Sequence, residues 1–233
     1  MKDSKVYAEK FKKWFASTKR KADTVSSIQD GNPIELLIRG MISEILTERQ
    51  TDAVMKKMNE YFVDFNDLRV SRQDEMIEVL GQDNEKIRQM SKGLGAVLNA
   101  IYNIYEDFNL EPLKKMGKRP SRQWLEDLDG ISPFAVNYCM LIGFQSHAIP
   151  LNDRMIQWLK KQELVHAEAN PVEIEGFILK QISAKETLAF YALLRSECEG
   201  RSKSGRSTSA TSQGTSTRKK KTVRKTKKRT RSS

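Results

Sequence analysis

Residues 124–158 read Trp-Leu-Glu-Asp-Leu-Asp-Gly-Ile-Ser-Pro-Phe-Ala-Val-Asn-Tyr-Cys-Met-Leu-Ile-Gly-Phe-Gln-Ser-His-Ala-Ile-Pro-Leu-Asn-Asp-Arg-Met-Ile-Gln-Trp. Trp124, Leu125 and Leu128 close one apolar helix, Gly130 turns the chain, and Pro133 opens a second helix that is apolar along most of its length. The pattern is a helix-hairpin-helix. Such a turn aims successive backbone N–H groups at one anion such as a phosphate, and the helix that follows adds the positive end of its dipole. Contacts of this kind hold a nucleic-acid backbone without reading its sequence. The candidate donors are the amides of Gly130, Ile131 and Ser132, because Pro133 has no N–H to offer.

Outward from the hairpin, apolar residues recur at spacings of three and four nearly everywhere. Ile34, Ile38, Met41 and Ile45 form one series, and Val54, Met58, Tyr61, Phe62 and Phe65 form another. The longest series, Ile87, Met90, Leu94, Val97, Ile101, Tyr105 and Phe108, predicts a single long amphipathic helix. No stretch alternates with period two. Asn32-Pro33 with Glu35, and Asn170-Pro171 with Glu173, each supply a cap, a proline at the first helical position and an acidic first turn. Ser183 with Glu186 and Ser71 with Asp74 read as capping boxes. Together these signals predict an all-α fold of about nine helices, with the helical domain spanning residues 31–199. Residues 1–30 read as an amphipathic helix carrying Tyr7, Phe11, Trp14 and Phe15, then a polar connector. The aromatic stripe is expected to pack on the body.

The net charge of +11 is unevenly placed. Residues 200–233 hold thirteen Lys or Arg and no Asp or Glu, which leaves 28 basic and 30 acidic residues in positions 1–199. A uniformly basic body is therefore excluded, and any basic groove on it is local. The tail is Ser, Thr, Gly, Lys and Arg, too poor in apolar surface to offset chain entropy, so it is expected to be disordered. Its cations Lys219, Lys220, Lys221, Arg224, Lys225, Lys227, Lys228 and Arg229 are suited to lie along phosphates by counterion release; a solubilising or localisation tail is the plainer alternative. On the body, Lys86, Arg88, Lys92, Lys114, Lys115, Lys118, Arg119 and Arg122 are candidates to line a DNA groove or simply to be solvated. Only two cysteines are present, Cys139 and Cys198. Neither a disulfide framework nor a Cys-built metal site is expected, and a reducing compartment fits. No apolar run approaches the roughly 18 residues of a membrane helix, and the first residues lack the apolar stretch of a signal peptide. The expectation is a soluble intracellular protein, in the cytoplasm or at the nucleoid or nucleus, with no membrane partner.

The segment from Leu128 to Met155 resembles, without a gap, the hairpin and following helix of the endonuclease III-like helix-hairpin-helix DNA glycosylases. The family pattern there is Leu-Pro-Gly-Val-Gly, a basic residue, Lys, Thr and Ala, an apolar helix, and then Val-Asp-Thr-His. Two upstream pieces fall in the same order. Leu46-Thr47-Glu48-Arg49-Gln50-Thr51-Asp52 is similar to the family's Leu-Ser-x-Gln-x-Thr-Asp, with Arg49 where the family has the Gln that fills the gap left by a flipped base. Gly81-Gln82-Asp83-Asn84-Glu85-Lys86 is similar to Gly-x-x-Asn-x-Lys, which opens the next helix. The resemblance covers about residues 30–199 and implies double-stranded DNA as partner and base-excision repair as setting.

The departures concern chemistry. Bifunctional members attack the sugar with a Lys amine at the hairpin's second helix; the matching position is Phe134. The carboxylate that supports charge in the remaining members matches Asn152, a neutral amide that is also a good helix cap. Asp153 is adjacent but about 100° away around a helix. Ser132 replaces the second Gly of the hairpin. The family's iron–sulfur cluster needs four Cys, so no cofactor is expected. His147 and His166 have no carboxylate or Cys partner at a catalytic spacing, and Cys139 lies on an apolar face. Three functions remain open at this point. One is a DNA-binding superfamily member with weak or lost glycosylase and lyase activity. Another is a monofunctional glycosylase using Asp153, Asp129 or Glu48. The last is a non-enzymatic chromatin or scaffold protein that meets DNA only through its tail.

Overall fold

The computed structural model describes residues 3–18 and 32–200. These form twelve α-helices: α1 (Ser4–Thr18), α2 (Pro33–Ile45), α3 (Glu48–Tyr61), α4 (Phe65–Val70), α5 (Gln73–Leu80), α6 (Glu85–Tyr105), α7 (Glu111–Met116), α8 (Lys118–Glu126), α9 (Pro133–Ile142), α10 (Asp153–Lys161), α11 (Pro171–Gln181) and α12 (Thr187–Cys198). A 3-10 turn at Ala184–Glu186 precedes the last. No strand occurs among the described residues. The expected count of about nine is too low, because α4, α5, α7 and α8 are only six to nine residues long. One or two turns carry too little periodicity to register as helices on their own. The connector after α1 and the basic tail lie outside the described residues.

Most helix starts follow the expected chemistry. The side chains of Asn32 and Asn170 accept hydrogen bonds from the amides of Ile34 and Glu173, and Ser183 forms its box with Glu186. The box at Ser71 is displaced by one residue. Ser71 instead ends α4, its hydroxyl donating to the Leu68 carbonyl, and the Glu75 carboxylate accepts the amide of Arg72. The long helix α6 stops at Tyr105 because Glu106 turns left-handed at φ 53°. Phe108 therefore leaves the helix but still packs on Phe65 and Tyr102.

Two apolar cores result, and α9 belongs to both. Ala135, Val136, Cys139 and Met140 enter the core of α2–α8, while Phe134, Tyr138, Leu141 and Ile142 enter that of α1 and α10–α12. A helix apolar on every side is buried on every side, and all ten residues after Ser132 except Pro133 are buried. The aromatic stripe of α1 packs as expected: Phe11 meets Phe177 and Phe190, and Trp14 meets Trp158.

The C-terminal helix is tied down by charge. Arg195, 3% exposed, pairs with Glu48 at 3.0 Å and Glu199 at 2.8 Å and donates to the Leu46 carbonyl and the Tyr191 hydroxyl. Glu199 in turn accepts the amide of Glu48, and Arg39 pairs with Glu48 and Asp52. Breaking one partner out of a buried network like this costs about 3–5 kcal/mol.

Candidate functional site

Helices α8 and α9 and the turn between them form the hairpin. Gly130 sits in the turn at φ +87°, a conformation that side chains resist. The turn lies directly on α6: a Cβ built on Gly93 would fall 2.7 Å from the Gly130 carbonyl oxygen. Ser132 is the N-cap of α9; its hydroxyl oxygen accepts the Ala135 amide at 3.1 Å while its hydrogen goes to the Glu44 carboxylate. Ser132 thus takes on a capping duty. Of the three candidate amides, that of Ile131 turns inward to the Leu128 carbonyl at 3.4 Å. Those of Gly130 and Ser132 have no acceptor among the described residues.

Beside the hairpin opens a cleft of about 730 Å³, lined by Glu44, Lys86, Ser132, Phe134, Asn152 and Asp153 among others. That volume lies within the roughly 300–1,000 Å³ of small-molecule sites. Phe134 is 4% exposed and stacks on Tyr138 at 6.3 Å. Asn152 caps α10: its carbonyl oxygen accepts the Met155 amide at 3.0 Å, and its NH₂ donates to the Glu44 backbone carbonyl at 3.0 Å. With acceptor and donor both committed, its orientation is fixed by its neighbours. Asp153 lines the same cleft but is exposed, and it pairs with Lys86 at 2.8 Å. That hydrogen bond holds the Lys86 ammonium above its ordinary pKa.

Glu44 is the residue the sequence reading missed. It stands in the last turn of α2, touches the α9 cap with its side chain and the α10 cap with its backbone, and faces the cleft. Burial, reinforced by the charge of Asp153, raises its pKa. A carboxyl so perturbed in a cleft marks a candidate functional group. Its signal was in the sequence: an acid inside the apolar run Met41–Leu46.

Other candidates lie elsewhere. Arg49 is exposed on the first turn of α3 and does not line the cleft. Glu48 belongs to the Arg195 network, and Asp129 is exposed in the hairpin turn. His147 is exposed, and His166 packs edge-on against Tyr7. Lys86, Arg88, Lys114 and Arg122 are ion-paired, and Lys118 donates to the Gln145 carbonyl. Lys92, Lys115 and Arg119 are exposed. The tail cations Lys219 to Arg229 lie outside the described residues.

An iron–sulfur cluster does not fit this chain. Cys139 is buried within α9, its thiol pushed up to about 12 by burial. Cys198 ends α12 with its thiol raised by burial to about 11. Two separated thiols do not make a four-thiolate set, and no metal-binding group of three or more His, Cys, Asp or Glu occurs among the described residues. No helix among them is long and apolar enough to cross a membrane.

No protein-family description and no curated protein matches the chain. Solved structures do. A trapped covalent endonuclease III–DNA intermediate superposes with a TM-score of 0.61 at 17% identity, over 78% of this chain and 84% of that one. The 8-oxoguanine glycosylase/lyase of Clostridium acetobutylicum, in complex with double-stranded DNA, gives 0.60 at 17% identity, over 82% and 70%. A thermostable thymine-DNA glycosylase gives 0.56 at 16% identity, over 82% and 87%. This chain has the all-helical helix-hairpin-helix fold shared by endonuclease III and these glycosylases.

Proposed function

We propose that the chain is a duplex-DNA-binding protein that meets the backbone through its hairpin and basic tail, and whose cleft has lost the family's imine-forming chemistry. The observation that carries this reading is the pair of side chains in the cleft. Phe134 and Asn152 stand where the resemblance puts a nucleophilic amine and a carboxylate, beside a hairpin that still presents the amides of Gly130 and Ser132. A phenyl ring forms no Schiff base. An amide does not hold the negative charge that balances an oxocarbenium-like transition state, and loss of one such electrostatic contribution costs about 3–4 kcal/mol, or two to three decades of rate. Arg49, exposed beside the α3 cap, is the body cation proposed to reach the duplex.

A second reading is favoured by one observation, the half-buried Glu44 with its raised pKa in the same cleft. It is better placed than Asp153 to act as an acid toward a leaving base, because Asp153 is exposed and neutralised by Lys86. Under this reading the protein hydrolyses a glycosidic bond without a covalent enzyme intermediate.

Three measurements on one preparation separate these possibilities. Titration with duplex DNA is expected to show binding that survives removal of the tail. Borohydride is expected to trap no covalent complex on abasic-site DNA. Base release from damaged duplexes is expected to be absent under the first reading, and present but abolished by Glu44→Gln under the second. Robust trapping that survives substitution of nearby lysines would overturn both. Binding lost entirely with the tail would leave only the chromatin or scaffold role.

A further inference from the structure

The geometry points to Gly93 as a positioning residue that sets where the hairpin turn stands for DNA. This deepens the proposed function and rests on the reading of the hairpin as a DNA contact. Gly93 lies inside α6, where glycine is less favourable than alanine because it costs more backbone entropy. Its place is explained by what it faces. A Cβ on Gly93 would sit 2.7 Å from the Gly130 carbonyl oxygen. A Cβ on Gly130 would sit 2.8 Å from the Gly93 oxygen and 3.0 Å from its Cα. Both obstructions are backbone atoms, so neither yields by a side-chain rotation. With only hydrogen at those positions, each glycine's Cα–H faces the other's carbonyl and the two backbones pack in direct contact.

The same face of α6 links turn and cleft. Lys86, Gln89, Met90 and Gly93 follow one another at helical spacing; the first three line the cleft with Gly130, and Gly93 carries the turn. A methyl group at Gly93 therefore lifts the turn away from α6 and tilts the free amides of Gly130 and Ser132. Its one side-chain neighbour among the nearest atoms is the Met41 methyl at the cleft edge, 3.6 Å away in ordinary van der Waals contact, and no cation is among them. Gly95 supplies the control. It lies two residues on in the same helix, and a Cβ there meets nothing within 4 Å.

The test compares full-length Gly93→Ala and Gly95→Ala by amide chemical shifts and by duplex-DNA titration across a salt series. Gly93→Ala is expected to displace the amide signals of residues 128–134 and to weaken binding about tenfold, the scale of a lost hydrogen bond to a charged group. The slope of log K against log salt is expected to stay the same, because neutral amides release no counterions. Gly95→Ala is expected to change neither signal nor affinity. Unmoved turn signals in Gly93→Ala overturn the inference. A displaced turn with unchanged affinity keeps the coupling and instead refutes the hairpin as a DNA contact. If Gly93→Ala does not fold, Ala96→Gly probes the same contact, since the Ala96 methyl lies 3.2 Å from where a Gly130 Cβ would be. Faster exchange of the Ile131 amide is then expected, and unchanged exchange overturns the inference.

Discussion

Placing a carboxylate at position 152 is the substitution that the family resemblance invites, and the structure predicts that it destabilises the protein. Asn152 is 8% exposed and bridges two helices: its oxygen caps α10 through the Met155 amide, and its NH₂ donates to the Glu44 carbonyl, both at 3.0 Å. Asn152→Asp keeps the cap acceptor but turns an oxygen without hydrogen onto that carbonyl, close to a carboxyl already perturbed by burial. Loss of a buried hydrogen bond with its acceptor left unpaired costs about 1–3 kcal/mol. The anion regains about 0.3–1 kcal/mol from the helix N-terminus. The net is a loss of about 1–2 kcal/mol at neutral pH, and a Tm lower by roughly 2–8 °C in a domain of this size. The sign of the pH dependence follows from the proton. A protonated Asp can donate to the carbonyl again, so the folded-state pKa at this position lies above the unfolded one. The deficit is therefore full above the folded pKa and shrinks as pH falls through it. Denaturant unfolding of the wild type and Asn152→Asp from acid to neutral pH measures this directly. An equally or more stable variant at neutral pH, with no recovery in acid, would refute the bridging role of the amide.

Two further outcomes are expected. Removing residues 200–233 takes away thirteen cations; with a slope of about −0.9 per neutralised phosphate, the salt dependence of DNA binding is expected to flatten clearly, and an unchanged slope rules the tail out as an anchor. Glu44→Gln is expected to raise stability at neutral pH more than in acid. Burial lifts the Glu44 pKa, so its contribution is intact below the unfolded carboxylate range and is lost as pH rises through the folded value. Parallel stability curves for Glu44→Gln and wild type would remove the burial argument.

The sequence by itself determined what is local. Helical periodicity, the caps at Asn32 and Asn170 and the turn at Gly130 depend on residues within about four positions of one another, and the separation of a near-neutral body from a basic tail is a matter of composition alone. For the same reason the placement of Ser71 slipped by one residue and the shortest helices went uncounted. The match of Phe134 and Asn152 to the family's Lys and Asp positions likewise comes from an ordered reading along the chain, and it remains part of the proposal. Tertiary structure decided the rest. Asn152 meets Glu44 across 108 residues, Ser132 meets Glu44 across 88, and Lys86 meets Asp153 across 67. No spacing rule reaches that far. Whether an acid faces a cleft or solvent depends on how whole helices pack, so Glu44 gained its meaning only when α2, α9 and α10 converged on it. Gly93 is the same case in backbone terms: inside α6 it reads as a weak helix residue, and only the arrival of Gly130 explains why nothing larger stands there.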